Sequence, residues 1–196
     1  TALTVHADDH MQVPAYGGVE VFGCDFAEGK DIDDLLDVAE KWNKWASKNN
    51  SQPYSGYVLQ PYYYDDLDDE TYWVGFSPSL AAQGIVQSEW MSKGAKLQQE
   101  FDSVTPCKSH LQLAWTQVFD ETESPSSQGV VDFAGCAMLP DGSQEKLASA
   151  DAKMNAFNAE IGSAVRIYRW YPMQGANADT PEFYQAQWYD SLEAKG

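Results

Sequence analysis

The sequence predicts an α+β fold built from two tandem βαββαβ units, the second of them incomplete. Two observations predict it. One constant offset superposes Gly23-Cys24 on Gly135-Cys136, Leu35 on Leu147, Lys41 on Lys153, Asn43 on Asn155, Ser51 on Ser163, Tyr72 on Tyr184 and Ser79-Leu80 on Ser191-Leu192. Chance rarely keeps one register over such a span, so the chain reads as an internal repeat. Within both units, moreover, the apolar residues switch between a period of two and a period near 3.6 in the same order.

The elements follow in turn. Residues 19–26 read as a strand, with Gly18 before it and Gly29 after it. Ile32, Leu35, Leu36, Ala39, Trp42 and Ala46 recur at helical spacing over 31–48, and Asp31 is an N-cap candidate. Aromatic-rich strands at 54–64 and 71–77 flank the acidic turn 65–70. A helix over 79–102 and a strand over 109–119 complete the first unit. The second unit has a strand at 130–139, a helix at 143–161 and strands at 165–173 and 183–189. Ser191 then opens a helix, and completing the unit needs that helix and one more strand, so the native chain is expected to extend past Gly196. The predicted organisation is an N-terminal segment 1–17, a first repeat 18–119, a linker 120–128 containing Ser124-Pro125-Ser126-Ser127, and a second, incomplete repeat 129–196.

With 196 residues and 43% hydrophobic content, the chain can bury its own core. Thirty acidic against twelve basic residues give a net charge of -18. That balance argues against nucleic acid and anionic membrane surfaces as partners, because both are bound by neutralising phosphate with Lys and Arg. No apolar run is long enough to span a bilayer. Thr1 to Ala7 reads TALTVHA ahead of the polar Asp8-Asp9-His10, with Val5 and Ala7 at the positions a signal peptidase reads. The expectation is a signal-peptide remnant ending at Ala7, hence a periplasmic or extracellular protein; the alternative is an ordinary N-terminal stub.

Two βαββαβ units in one chain, carried by the repeated Gly-Cys, Asn and Ser-Leu positions, resemble a ferredoxin-like duplication and in particular the dimeric α+β barrel superfamily. The chain is also similar to secreted proteins of marine bacteria whose role is unknown. The resemblance implies a barrel that is an intramolecular pseudo-dimer, monomeric unless an open sheet edge recruits another chain. It covers cofactor-free monooxygenases, haem-degrading and dye-decolourising enzymes and lactone isomerases, so it implies no single reaction. In the ferredoxin-like sheet the first and fourth strands are antiparallel neighbours, so a disulfide between Cys24 and Cys107 is geometrically reasonable. Cys136, the repeat mate of Cys24, is left over. Three reduced, buried thiols are the alternative.

The common catalytic signatures are missing. There is no P-loop, nucleophile elbow, zincin motif, paired CxxC or dinucleotide fingerprint, and no cofactor is expected. Among three histidines, His110 is the candidate for acid–base or ligand work, because it lies on a strand in a fold whose pockets form between sheet and helices. Asn43 and Asn155 place an amide near the apolar stripe of each first helix, where it either satisfies backbone groups or faces a pocket. Tyr57, Trp73, Trp115 and Tyr168 either fill a barrel core or line a cavity for a flat, apolar ligand. Alternation permits only one of Arg166 and Arg169 to face inward, where Arg166 with Tyr168 could orient an anionic group. His10 becomes a copper or nickel ligand only if Asp8 is the mature N-terminus. The leading expectation is an exported protein that binds a small apolar or aromatic molecule in the barrel cavity without chemistry. The alternatives are a cofactor-free monooxygenase or isomerase in which His110 handles a proton, and a structural or interaction module.

Overall fold

The computed structural model describes residues 16–64, 68–120 and 128–196. The proposed signal remnant, His10 and most of the proposed linker lie outside these residues. The elements are β1 (Gly17–Cys24), α1 (Ile32–Asn49), β2 (Ser55–Leu59), β3 (Thr71–Ser77), α2 (Leu80–Lys93), α3 (Ala95–Val104), β4 (Cys107–Phe119), β5 (Val130–Cys136), α4 (Gln144–Glu160), β6 (Arg166–Gln174), β7 (Phe183–Tyr189) and α5 (Leu192–Lys195). The strands form one antiparallel sheet in the order β2-β3-β1-β4-β6-β7-β5. The order β2-β3-β1 recurs as β6-β7-β5, and the pairing of β4 with β6 joins the two halves.

Local chemistry explains the boundaries. Asp31 caps α1, accepting from the amides of Asp33 and Asp34, while the Asp34 carboxylate returns to the Asp31 amide. Ser79, Ser143 and Ser191 cap α2, α4 and α5 in the same way, each accepting from the amide three residues on. The strand expected over 54–64 stops at Leu59, because Pro61 has no amide to give a ladder. The helix expected over 79–102 is two helices that meet at Gly94, where the Trp90 ring packs on the glycine and a side chain would overlap it.

The sheet curls. Tyr57 of β2 touches Trp188 of β7, and Phe76 of β3 touches Trp170 of β6, with ring centroids 5.2 and 5.6 Å apart. The concave face buries Val19, Val74, Leu113, Trp170 and Ala186. On the opposite face α1 and α3 bury Leu35, Val38, Trp42, Leu97 and Val104. Arg169 points to that outer side as well, gripping Asp151 of α4 through two hydrogen bonds of 2.8 and 2.9 Å. Arg166 has the opposite direction and lines the concave interior, paired with Asp190. Each arginine is almost fully buried with a carboxylate to answer its charge, as burial of a guanidinium requires.

Candidate functional site

Alternation along three neighbouring strands assembles the site. In β1, Val19 and Val21 join the concave core, so Glu20, Phe22 and Cys24 face the helices. In β3 the same rule sends Thr71 and Trp73 to the helical side, and in β4 His110 and Gln112. Between these residues and α1, α2 and α3 lies a cavity of about 640 Å³. Its apolar wall is aromatic: Trp42, Trp73, Phe101, Trp90 and Trp45 follow one another with centroids 4.9–6.3 Å apart.

Glu20 is the polar centre of the cavity and is 6% exposed. One carboxylate oxygen accepts from the Tyr54 hydroxyl at 2.8 Å. The other accepts from Gln87 Nε2 at 2.8 Å and lies 3.0 Å from His110 Nε2. Trp73 Nε1 in turn donates to the Tyr54 oxygen at 3.1 Å. Buried carboxylates need this many donors, since a lone buried charge is expensive. Tyr54 fits because β3 has Gly75 beneath it, where any side chain would occupy the place of its hydroxyl. Phe22 lies flat on the His110 imidazole, centroids 3.8 Å apart and planes 11° off parallel, which fixes the ring. With Nε2–H given to Glu20, Nδ1 is left as an acceptor on a side chain that is 47% exposed.

The rim joins both halves of the molecule. Gln174, the last residue of β6, and Gly175 in the turn that follows line the mouth, and Gly175 has φ 80°, where a side chain would also run into the His110 carbonyl oxygen. Cys24 and Cys107, also in the lining, form a disulfide that ties β1 to β4. Cys136 is a free thiol.

Burial pushes the Tyr54 hydroxyl well above its ordinary pKa of 10.0, and the Glu20 charge adds to this. Tyr168 is raised too, first by burial and then by its hydrogen bond to Asp120. Above about pH 10 the unfolded chain therefore loses protons that the folded chain keeps, so stability is fully present below that pH and falls as pH rises further. In an absorbance titration, Tyr54 and Tyr168 should ionise only as near-ultraviolet circular dichroism collapses. Complete ionisation of all eleven tyrosines in a still-folded chain would contradict their burial.

The residues singled out from sequence are divided between two faces of the sheet. His110 and Trp73 line the large cavity. Tyr57, Trp115, Tyr168 and Arg166 instead line a smaller hollow of about 220 Å³ inside the curl of the sheet. Asn43 is exposed and lines neither, because the buried stripe of α1 runs through Leu35, Val38 and Trp42 and leaves Leu36 at 50% exposure. Asn155 donates to the Val118 carbonyl at 2.7 Å, a fastening of α4 to β4. Glu20 and Gln87 were not anticipated. The signal for Glu20 was present in Val19-Glu20-Val21-Phe22, where one acid interrupts an apolar strand. Among the described residues no group of His, Cys, Asp and Glu is arranged to hold a metal ion, and no helix is long and apolar enough to cross a membrane.

The sequence matches no family model and no curated protein. Among solved structures, a candidate chlorite dismutase superposes with a TM-score of 0.53 at 12% identity, over 92% of this chain and 82% of that one. A doubly substituted chlorite dismutase of Candidatus Nitrospira defluvii gives 0.53 at 11% identity, over 91% and 79%. A candidate monooxygenase of Lactobacillus acidophilus gives 0.51 at 11% identity, over 92% and 80%. At such identities the likeness is one of fold: the chain has the chlorite-dismutase-like α+β barrel architecture.

Proposed function

We propose that this protein binds a small aromatic or apolar molecule in the helix-covered cavity between β1, β3, β4 and α1–α3, with Glu20 and His110 at its polar end. The observation that carries the reading is the cavity itself, about 640 Å³ walled by aromatic rings with one convergent polar cluster. Specific small-molecule sites have that composition and size. The smaller hollow inside the sheet, about 220 Å³, lies below the usual size of such sites. The direct test uses the neutral fluorophore N-phenyl-1-naphthylamine. One molecule per chain should bind with quenching of tryptophan emission, and Ala95→Trp, a bulky residue on the exposed rim, should weaken binding at least ten-fold. Equal binding by wild type and variant would remove the cavity as the site.

The Glu20–His110 pair favours a second reading, in which the bound molecule loses a proton. A carboxylate holding Nε2–H presents Nδ1 as a base, and such positioned bases contribute about 10²–10⁴ in rate. The probe is 5-nitrobenzisoxazole, which opens when a base takes its ring C–H proton and the electron pair of that bond expels the phenolate oxygen from nitrogen. Turnover should fall roughly a hundred-fold in His110→Ala. Turnover no faster than that of free imidazole would leave ligand binding alone.

Residues 18–119 and 129–196 are read as two copies of one unit, supported by the shared order β2-β3-β1 and β6-β7-β5. The disulfide supports an oxidising compartment, periplasmic or extracellular.

A further inference from the structure

We infer that the ligand of the Glu20 cavity is an organic cation, an ammonium or protonated amine attached to an apolar or aromatic body. This rests on the proposed cavity function and specifies the charge of what enters it. Three features of the lining support it independently of one another.

The first is the charge balance. Glu20 is the one acidic side chain in the lining, and neither Lys nor Arg is among the described lining residues. Its donors are a phenol, an amide and an imidazole. Both buried arginines of the molecule, by contrast, have a carboxylate partner of their own. The Glu20 charge is therefore hydrogen-bonded without a permanent counter-charge, in a cavity whose walls screen little. An anionic ligand meets repulsion there, and a cation supplies the missing charge.

The second is the wall. Trp42, Trp45, Trp73, Trp90 and Phe101 form a contiguous ring surface, and Tyr54 lies 5.4 Å from Trp42. Aromatic faces attract cations through their quadrupole, tryptophan most strongly, and enclosure by several rings beside a carboxylate suits ammonium groups.

The third is an unanswered acceptor. Asn50, another lining residue, has its Oδ1 buried without a hydrogen-bond partner. A buried acceptor calls for a donor, which a protonated amine supplies and a quaternary ammonium or a hydrocarbon does not, so this feature bears on amines and the charge balance and wall on both kinds of cation. The net charge of -18 over the whole chain would further concentrate cations near the mouth.

The test compares two probes of the same shape, benzyltrimethylammonium and its uncharged carbon isostere neopentylbenzene, by calorimetry on the wild-type chain. The cation is expected to bind at least ten-fold more tightly. Glu20→Gln should erase most of that preference, read as the ratio of the two affinities in the same variant. Trp90→Leu, which keeps the carboxylate, should reduce the preference by a smaller factor and covers the case in which the Glu20 variant does not fold. Equal or tighter binding of neopentylbenzene by wild type overturns this inference and leaves the cavity function standing. Binding of neither probe overturns both.

Discussion

Replacing Cys24 and Cys107 together by serine lowers the unfolding free energy by about 2–5 kcal/mol. The bond closes a loop of 83 residues that contains α1, β2, β3, α2 and α3, which is nearly everything that covers the cavity. Severing it returns that loop's conformational freedom to the unfolded chain, and the loss grows with loop length. It also removes the covalent stitch beside the irregularity between Gly23 and Cys24, where the β1–β4 ladder shifts register. Urea unfolding reports the effect through midpoint and slope together, since the uncross-linked denatured chain is more expanded and the slope should rise. Dithiothreitol should reproduce it in the wild-type chain. Cys136→Ser, which touches only a half-buried free thiol, should stay within about 0.5 kcal/mol of wild type. A serine pair as stable as wild type would show that the covered loop is held by packing alone.

Leu113→Ala should cost about 2–5 kcal/mol. Leu113 is 1% exposed at the middle of β4, paired in register with Val19 of β1 on one side and Pro172 of β6 on the other. It is therefore packed where the two halves of the sheet meet, and neighbours held in two ladders cannot collapse into the space an alanine leaves. Leu113→Met keeps the volume and should cost less than about 1.5 kcal/mol. Chemical denaturation of the three chains separates the outcomes. An alanine variant as stable as the methionine one would mean that the join between β4 and β6 relaxes freely into the vacated space.

Much of the fold was legible because its signals are local. Period two in Val19 to Cys24, period 3.6 from Leu35 to Ala46 and the capping positions of Asp31, Ser79, Ser143 and Ser191 are all written in short stretches. The break at Gly94 was missed because one glycine inside an amphipathic run is compatible with an unbroken helix. The site was legible only in part. Period two tells which strand residues share a face and not which face the helices cover. Trp73 and Trp115 thus looked alike, yet they stand on opposite sides of the sheet. Asn43 was misplaced by counting Leu36 into the buried stripe. Glu20 escaped notice because its partners Tyr54, Gln87 and His110 are 34, 67 and 90 residues away, and only the completed sheet brings them together.

The mouth of the cavity belongs to both halves of the chain. Every catalytic or binding candidate within it comes from residues before 113, but Gln174 at the end of β6 and Gly175 in the turn that follows also line it, with Gly175 against the backbone of His110. Occupancy and the docking of that turn are consequently linked functions, and linkage is reciprocal. Whatever fills the cavity holds the β6–β7 hairpin in place by as much free energy as the hairpin lends to binding. A saturated protein should resist proteolysis and amide exchange around residues 174–180, which contribute none of the hydrogen bonds to Glu20. Substitutions in that turn should likewise change affinity, because the second half of the chain supplies part of the cavity mouth.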